Sequence, residues 1–184
     1  MRHPVSTCLS RAERRAAPKP ARVPSGDRPM YPSGEGLPMT EVQFHFNVPD
    51  RLLYACRLLR KALRSGARGV AVTAPAATLA ALDRTLWTFD PQEFIPHLLL
   101  RQGESPAPRL ARTPIWLVER AEQGMQHPVL VHLGEEPAVG FESFQRLVEI
   151  VSTDADERDA ARRRWKHYAG RGYELQRFDV GAAA

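Results

Sequence analysis

From Val42 onward, hydrophobic and polar positions settle into two alternating periods. Val42, Phe44 and Phe46 alternate with Gln43, His45 and Asn47, the period-two signature of a strand. Pro49 and Asp50 then open a helix in which Leu52, Cys56, Leu59 and Leu63 recur on one face. Arg57, Arg60, Lys61 and Arg64 occupy its other face, as on an ordinary solvated surface. Ser65-Gly66 ends the helix where a left-handed cap is expected. Gly69–Thr73 reads as a short buried strand, and Pro75–Trp87 as a second helix carrying Leu79, Leu82 and Leu86.

Further along, residues 101–112 form a Pro/Gly/Arg loop. Ile115–Val118 and Val129–Leu133 read as neighbouring strands with Gln123-Gly124 in the turn between them, and Leu147–Val151 as the next strand. Asp154, with Glu157 three residues on, has the look of a capping box opening a last helix. Gly170 and Gly172 end that helix, and Tyr173–Val180 is a candidate closing edge strand. Strand–helix alternation of this kind predicts right-handed crossovers and a mostly parallel central sheet flanked by helices. The expected fold class is therefore α/β, a single domain with Rossmann-like topology.

Residues 1–38 have a different texture. They hold seven prolines, few large apolar residues and neither period, so we expect a disordered Pro/Arg-rich extension. A mis-assigned start codon, with Met39 or Met30 as the natural beginning, is the simplest expectation for it. This segment also changes the reading of charge. Its seven Lys/Arg against Glu13, Asp27 and Glu35 account for four of the five net positive charges, leaving residues 39–184 close to neutral. Basicity in the folded part is therefore local rather than a global field.

Catalytic chemistry finds no foothold. An α/β sheet invites a nucleotide, but no GxGxxG follows the first strand and no GxxxxGK[ST] occurs. HExxH and GxSxG are absent too. Cys8 and Cys56 make no disulfide framework, and Cys56 reads as a small buried hydrophobe. His127 and His132, five apart around a strand, fall on opposite faces and read as satisfied or surface histidines. His97, in a loop, has no nominated partner. We expect no catalytic residue, metal or cofactor. No run of about 18 apolar residues occurs, so no membrane-spanning helix is expected.

Two surfaces read as docking sites. In the last helix, Arg158, Arg162 and Lys166 are spaced i, i+4, i+8 and Trp165 lies beside them. Arg163 and Arg164 widen the positive surface, while Ala160, Ala161 and Tyr168 face inward. Like charges on one stripe repel by a few tenths of a kcal/mol, roughly, per pair, so a stripe without acids points to an anionic ligand. Trp165 reads as an interface anchor, the alternative being a core tryptophan. The second surface is Leu82–His97, where Leu86, Trp87, Phe89, Phe94 and Ile95 cluster around a helix end. It is either a lid folded over the core or an apolar patch for a partner.

Three stretches carry a family resemblance: VQFHFNV after Met39, LDRTLWTFDPQEFIPH (Leu82–His97), and VEIVSTDADERDAARRRWKHYAGRGYEL. Together they resemble the chi subunit of bacterial DNA polymerase III holoenzyme over about residues 40–178. The resemblance implies a non-catalytic α/β protein that joins the clamp loader through the psi subunit. It also implies that the protein grips the acidic C-terminal tail of single-stranded DNA-binding protein, which ends in proline and phenylalanine. Carried over, the tail-binding positions are Arg158, Arg162, Trp165 and Lys166, and the psi-facing ones Trp87, Phe94, Ile95 and Pro96. The implied setting is the cytoplasmic, nucleoid-associated replisome, with DNA contacted only indirectly. The rival readings are a direct single-stranded nucleic-acid binder using the basic helix, and an enzyme using the crevice at the strand ends.

Overall fold

A computed structural model describes residues 39–181; the expectations for residues 1–38 lie outside them. Seven strands form one sheet in the order β3-β4-β2-β5-β6-β1-β7. These are β1 (Glu41–Val48), β2 (Val70–Thr73), β3 (His97–Leu100), β4 (Ile115–Val118), β5 (Val129–His132), β6 (Arg146–Ser152) and β7 (Leu175–Asp179). Every pairing is parallel. The expected α/β architecture is present.

Helices α1 (Arg51–Arg64) and α2 (Ala76–Thr88) cover one face, and α3 (Ala155–Gly170) covers the other. Alternation along each strand decides which residue meets which layer. Val70, Val72, Ile115, Leu117, Val148 and Ile150 pack with Cys56, Leu59, Leu79 and Leu82 beneath α1 and α2. Val42, Phe44, Leu130 and Leu147 pack with Ala161 and Tyr168 beneath α3. Asp50 caps α1, accepting from the Leu53 N–H, and Gly66 takes the left-handed φ of +76° that its end requires. Burial pushes the Cys56 thiol up to about 11, and the Asp50 charge adds to this, so the thiol stays protonated and inert.

Three expectations are corrected. Ile115–Val118 and Val129–His132 are not neighbours, because β2 lies between them. The chain passes over β2 by a 3-10 turn, Ala121–Gly124, instead of by a helix, so no periodic signal marked the crossover. His97 is not in a loop but starts edge strand β3, a four-residue HLLL run too short to show alternation. The solvated reading of α1's outer face also fails at two positions. Arg60 and Arg64 bind Asp90 (3.1 Å) and Glu93 (2.6 Å), fastening the segment after α2 to α1.

Gly124 shows how tightly the β4–β5 crossover is packed. A Cβ there would collide with the Ala71 Cβ on β2, a core strand that cannot yield. Gly124→Ala should therefore lower unfolding free energy by about 1–3 kcal/mol, the usual cost of overpacking. Urea denaturation measures this; an unchanged midpoint would show that the turn can move away.

Candidate functional site

Helix α3 starts where Asp154 accepts hydrogen bonds from the Asp156 and Glu157 N–H groups, at 3.0 and 3.1 Å. Only half of the expected capping box forms. The Glu157 carboxylate reaches Arg51 on α1 (2.5 Å) rather than the Asp154 N–H, which donates to Ser152 Oγ instead. Acidic residues in the first turn suit the positive end of the helix dipole.

A buried polar network fixes how α3 sits on the sheet. Glu149 of β6 is fully buried, and Arg164, expected on the surface, is only 3% exposed. Arg164 Nε donates to Glu149 Oε2 at 2.9 Å, and its Nη1 donates to the Glu135 carbonyl at 2.9 Å. The Tyr168 hydroxyl donates to Glu149 Oε1 at 2.8 Å, and His132 Nδ1 lies 3.0–3.1 Å from both carboxylate oxygens. Burial opposes the Glu149 charge, but His132, Arg164 and Tyr168 together outweigh it and hold the carboxyl below its ordinary range. Burial and the Glu149 charge push the Tyr168 phenol up, so it remains a donor.

Of the two histidine readings, the surface one is corrected, while the satisfied one holds for His132. His127 and His132 are both buried; His127 precedes β5 and packs edge-on against Trp116 at 4.9 Å, while His132 serves Glu149. The sequence did contain a signal for this network. A lone Glu in the apolar run Leu147–Val151 needs a cation, and Arg164 and Tyr168 share the Ala160/Ala161 side of the helix.

With Arg164 and Tyr168 turned inward, Arg158, Arg162 and Lys166 are left exposed. They line a groove of about 410 Å³ together with Trp165, Phe46, Asn47 and Arg177. All four residues expected to bind a tail therefore share one concavity, and none of the lining residues is acidic. Trp165 is neither free nor core. It is half-buried, its ring 4.9 Å from Phe44 and 6.1 Å from Phe46. The stripe is not free of acids either, since exposed Asp159 pairs with Arg162 one turn away. Sequence reading missed Phe46, Asn47 and Arg177, because they come to the groove from β1 and β7 across the sheet. Asn47 lies within the break in β1–β6 register and takes a left-handed φ of 59°, its amide donating to Asp179 at 2.9 Å.

The second surface separates into exposed and buried parts. Trp87 and Phe94 are 60% and 66% exposed with ring centroids 5.5 Å apart, and Pro96 is half-buried. Ile95, expected to face a partner, is 1% exposed and lies in the core beneath α2, so it supports the patch without being reachable. The His97 ring lies 5.1 Å from Trp87, with Nδ1 donating to the Ile95 carbonyl at 2.7 Å and Nε2 3.2 Å from Asp83.

Residues 39–176 match the family described as DNA polymerase III chi subunit, HolC. The chain belongs to this chi family. It is 33% identical to DNA polymerase III subunit chi of Pseudomonas aeruginosa over 143 residues, which is 75% of this chain and 95% of that protein. To the subunit chi of Haemophilus influenzae it is 32% identical over 130 residues, 69% of this chain and 85% of that one. Among solved structures, the C-terminal domain of the DEAD-box protein Dbp5 superposes with a TM-score of 0.51 at 12% identity, covering 78% of this chain and 92% of that one. That likeness concerns the fold alone. No described helix is long and apolar enough to cross a membrane.

For this chi-family chain the Glu149 network should govern stability in acid. A carboxyl lowered on folding stabilises the protein above its ordinary value of 4.5, and that contribution is lost as pH falls through the lower folded value. Glu149→Gln should flatten this acid limb of the stability curve. Arg164→Met, which strands the carboxylate, should cost about 3–5 kcal/mol near neutrality. Urea unfolding between pH 3 and pH 7, roughly the span over which carboxylates titrate, tests both; an acid limb that survives Glu149→Gln would place the titrating group elsewhere.

Proposed function

We propose that this chain is a non-catalytic accessory subunit of the replicative DNA polymerase, tethering it to single-stranded DNA-binding protein by gripping that protein's acidic C-terminal tail. The observation that carries the reading is the groove between α3 and the sheet edge, cationic along its walls and aromatic at its floor. Aspartates of a tail would meet Arg158, Arg162 and Lys166, and an aromatic terminus would rest against Trp165. Exposed charge pairs contribute about 1 kcal/mol or less each, so single contacts are modest. Avidity then comes from many tails displayed on coated DNA. The link to the clamp loader runs through the psi subunit at the exposed Trp87–Phe94 pair, where the end of α2 meets the segment fastened to α1.

A direct single-stranded DNA binder is the weaker reading. Such proteins stack successive bases on exposed aromatics along a basic track, and here the two aromatics that line the groove, Phe46 and Trp165, are both half-buried.

Titration calorimetry of the full chain with an acidic peptide ending in Pro-Phe tests the tail reading. Binding should weaken as salt rises, and Arg162→Ala should lose about fivefold in affinity at low salt. Absence of binding to the wild-type chain at low salt overturns it. For the second surface, Phe94→Asp should abolish co-purification with a co-expressed psi subunit while leaving peptide affinity unchanged. Loss of both, or of neither, would remove Phe94 from that interface.

A further inference from the structure

The groove has a second cationic wall that does not belong to the helix. Among the described residues strand β7 is a sheet edge, pairing only with β1, and its register sets Arg177 opposite Phe44. Alternation therefore sends Leu175 and Arg177 to the α3 side of the sheet, while Phe178 turns to the other face, 5.1 Å from His45. The Arg177 guanidinium lies 5.3 Å from the centre of the Phe46 ring, and Arg177 and Phe46 both line the groove. Stacking on an aromatic orders the guanidinium before any ligand arrives. The other cations of the groove, Arg158, Arg162 and Lys166, come from α3 rather than the sheet, rising along it by about 6 Å per four residues.

Two facing walls discriminate in a way one stripe does not. An extended peptide points successive side chains to opposite sides. Resting on the tail-binding reading above, we infer that the groove reads two consecutive acidic residues of its peptide with opposite walls. Arg177 takes one carboxylate and the α3 cations take the next, which makes Arg177 a specificity-determining residue. The ligand class is then an extended peptide with adjacent acidic residues followed by an apolar, aromatic end that settles on Trp165 and Phe46. Two acids separated by one residue would both face the same wall and leave the other unsatisfied.

Double-mutant cycles test this with the full chain and a synthetic peptide ending Asp-Asp-Ala-Pro-Phe, together with versions in which either Asp is replaced by Asn. Binding is read by fluorescence anisotropy. Arg177→Ala should weaken the parent peptide about fivefold and lose its effect when one particular Asp is Asn; Arg162→Ala should couple to the other Asp. Arg177→Lys, which keeps the charge but not the planar stack on Phe46, should recover only part of the loss. A peptide ending Asp-Ala-Asp-Pro-Phe should bind the wild-type chain more weakly than the parent. Thermal melts check that the Arg177 variants remain folded. If Arg177→Ala binds within about twofold of wild type, or both arginines couple to the same Asp, the two-wall inference is overturned while tail binding stands. If the wild-type chain binds neither peptide, both fall.

Discussion

The position of α3, and with it the groove, depends on one buried carboxylate. Glu149 sits midway along β6 with no exposure and meets Arg164, Tyr168 and His132. An ion pair in that setting contributes little to net stability compared with apolar packing, because desolvation offsets most of its attraction. Its geometry is what matters. Arg164 and Tyr168 are one turn apart on α3, so two hydrogen bonds to one carboxylate define the rotation of the helix about its axis. A helix held only by Ala160 and Ala161 would have a smooth inner face and no preferred rotation. With the rotation set, Arg158, Arg162 and Lys166 are carried to the groove side, and Trp165 is pressed against Phe44 and Phe46.

The parallel sheet supplies the rest by register. β1 contributes Phe44 and Phe46 to the α3 face and His45 to the α1 face, where it meets the Tyr54 hydroxyl at 2.7 Å. β7 copies that alternation one strand further out. The groove thus combines a helix, a penultimate strand and an edge strand, and its floor is continuous with the core beneath α3. Rigid elements on three sides hold cationic side chains at fixed separations, a better basis for recognising short peptides than a mobile loop.

What was legible in the sequence follows from where each residue's environment is local. Period and caps marked β1, α1, β2, α2, β6 and α3, because Asp50, Gly66 and Asp154 act within a turn of their own positions. The four helix residues of the groove were legible for the same reason: one helix carries them all. Arg164 was misread because three consecutive arginines look alike until one of them finds Glu149, fifteen positions earlier. Arg177, Phe46 and Asn47 were missed because only the pairing of β1 with β6 and of β7 with β1 brings them to α3. Ile95 was misassigned since apolar character alone does not distinguish the underside of a patch from its surface; Phe94 and Ile95 are adjacent and point opposite ways. The order β4-β2-β5 was hidden because a 3-10 turn, without helical periodicity, makes the crossover.

The free protein holds a charge arrangement that is mildly unfavourable to itself. Arg158, Arg162, Lys166 and Arg177 share one concavity, and Asp159 relieves part of their repulsion by pairing with Arg162. Each like-charge neighbour costs roughly a few tenths of a kcal/mol in solvent, far too little to disturb a helix anchored by the Glu149 network. An anionic ligand recovers that repulsion as well as forming its own pairs, so its gain exceeds what the exposed contacts alone would give. The Asp159–Arg162 pair is so solvent-exposed that a ligand carboxylate can displace it at small cost. Buried charge fixes the geometry and exposed charge is left open to a ligand, and the two lie on opposite sides of the same helix.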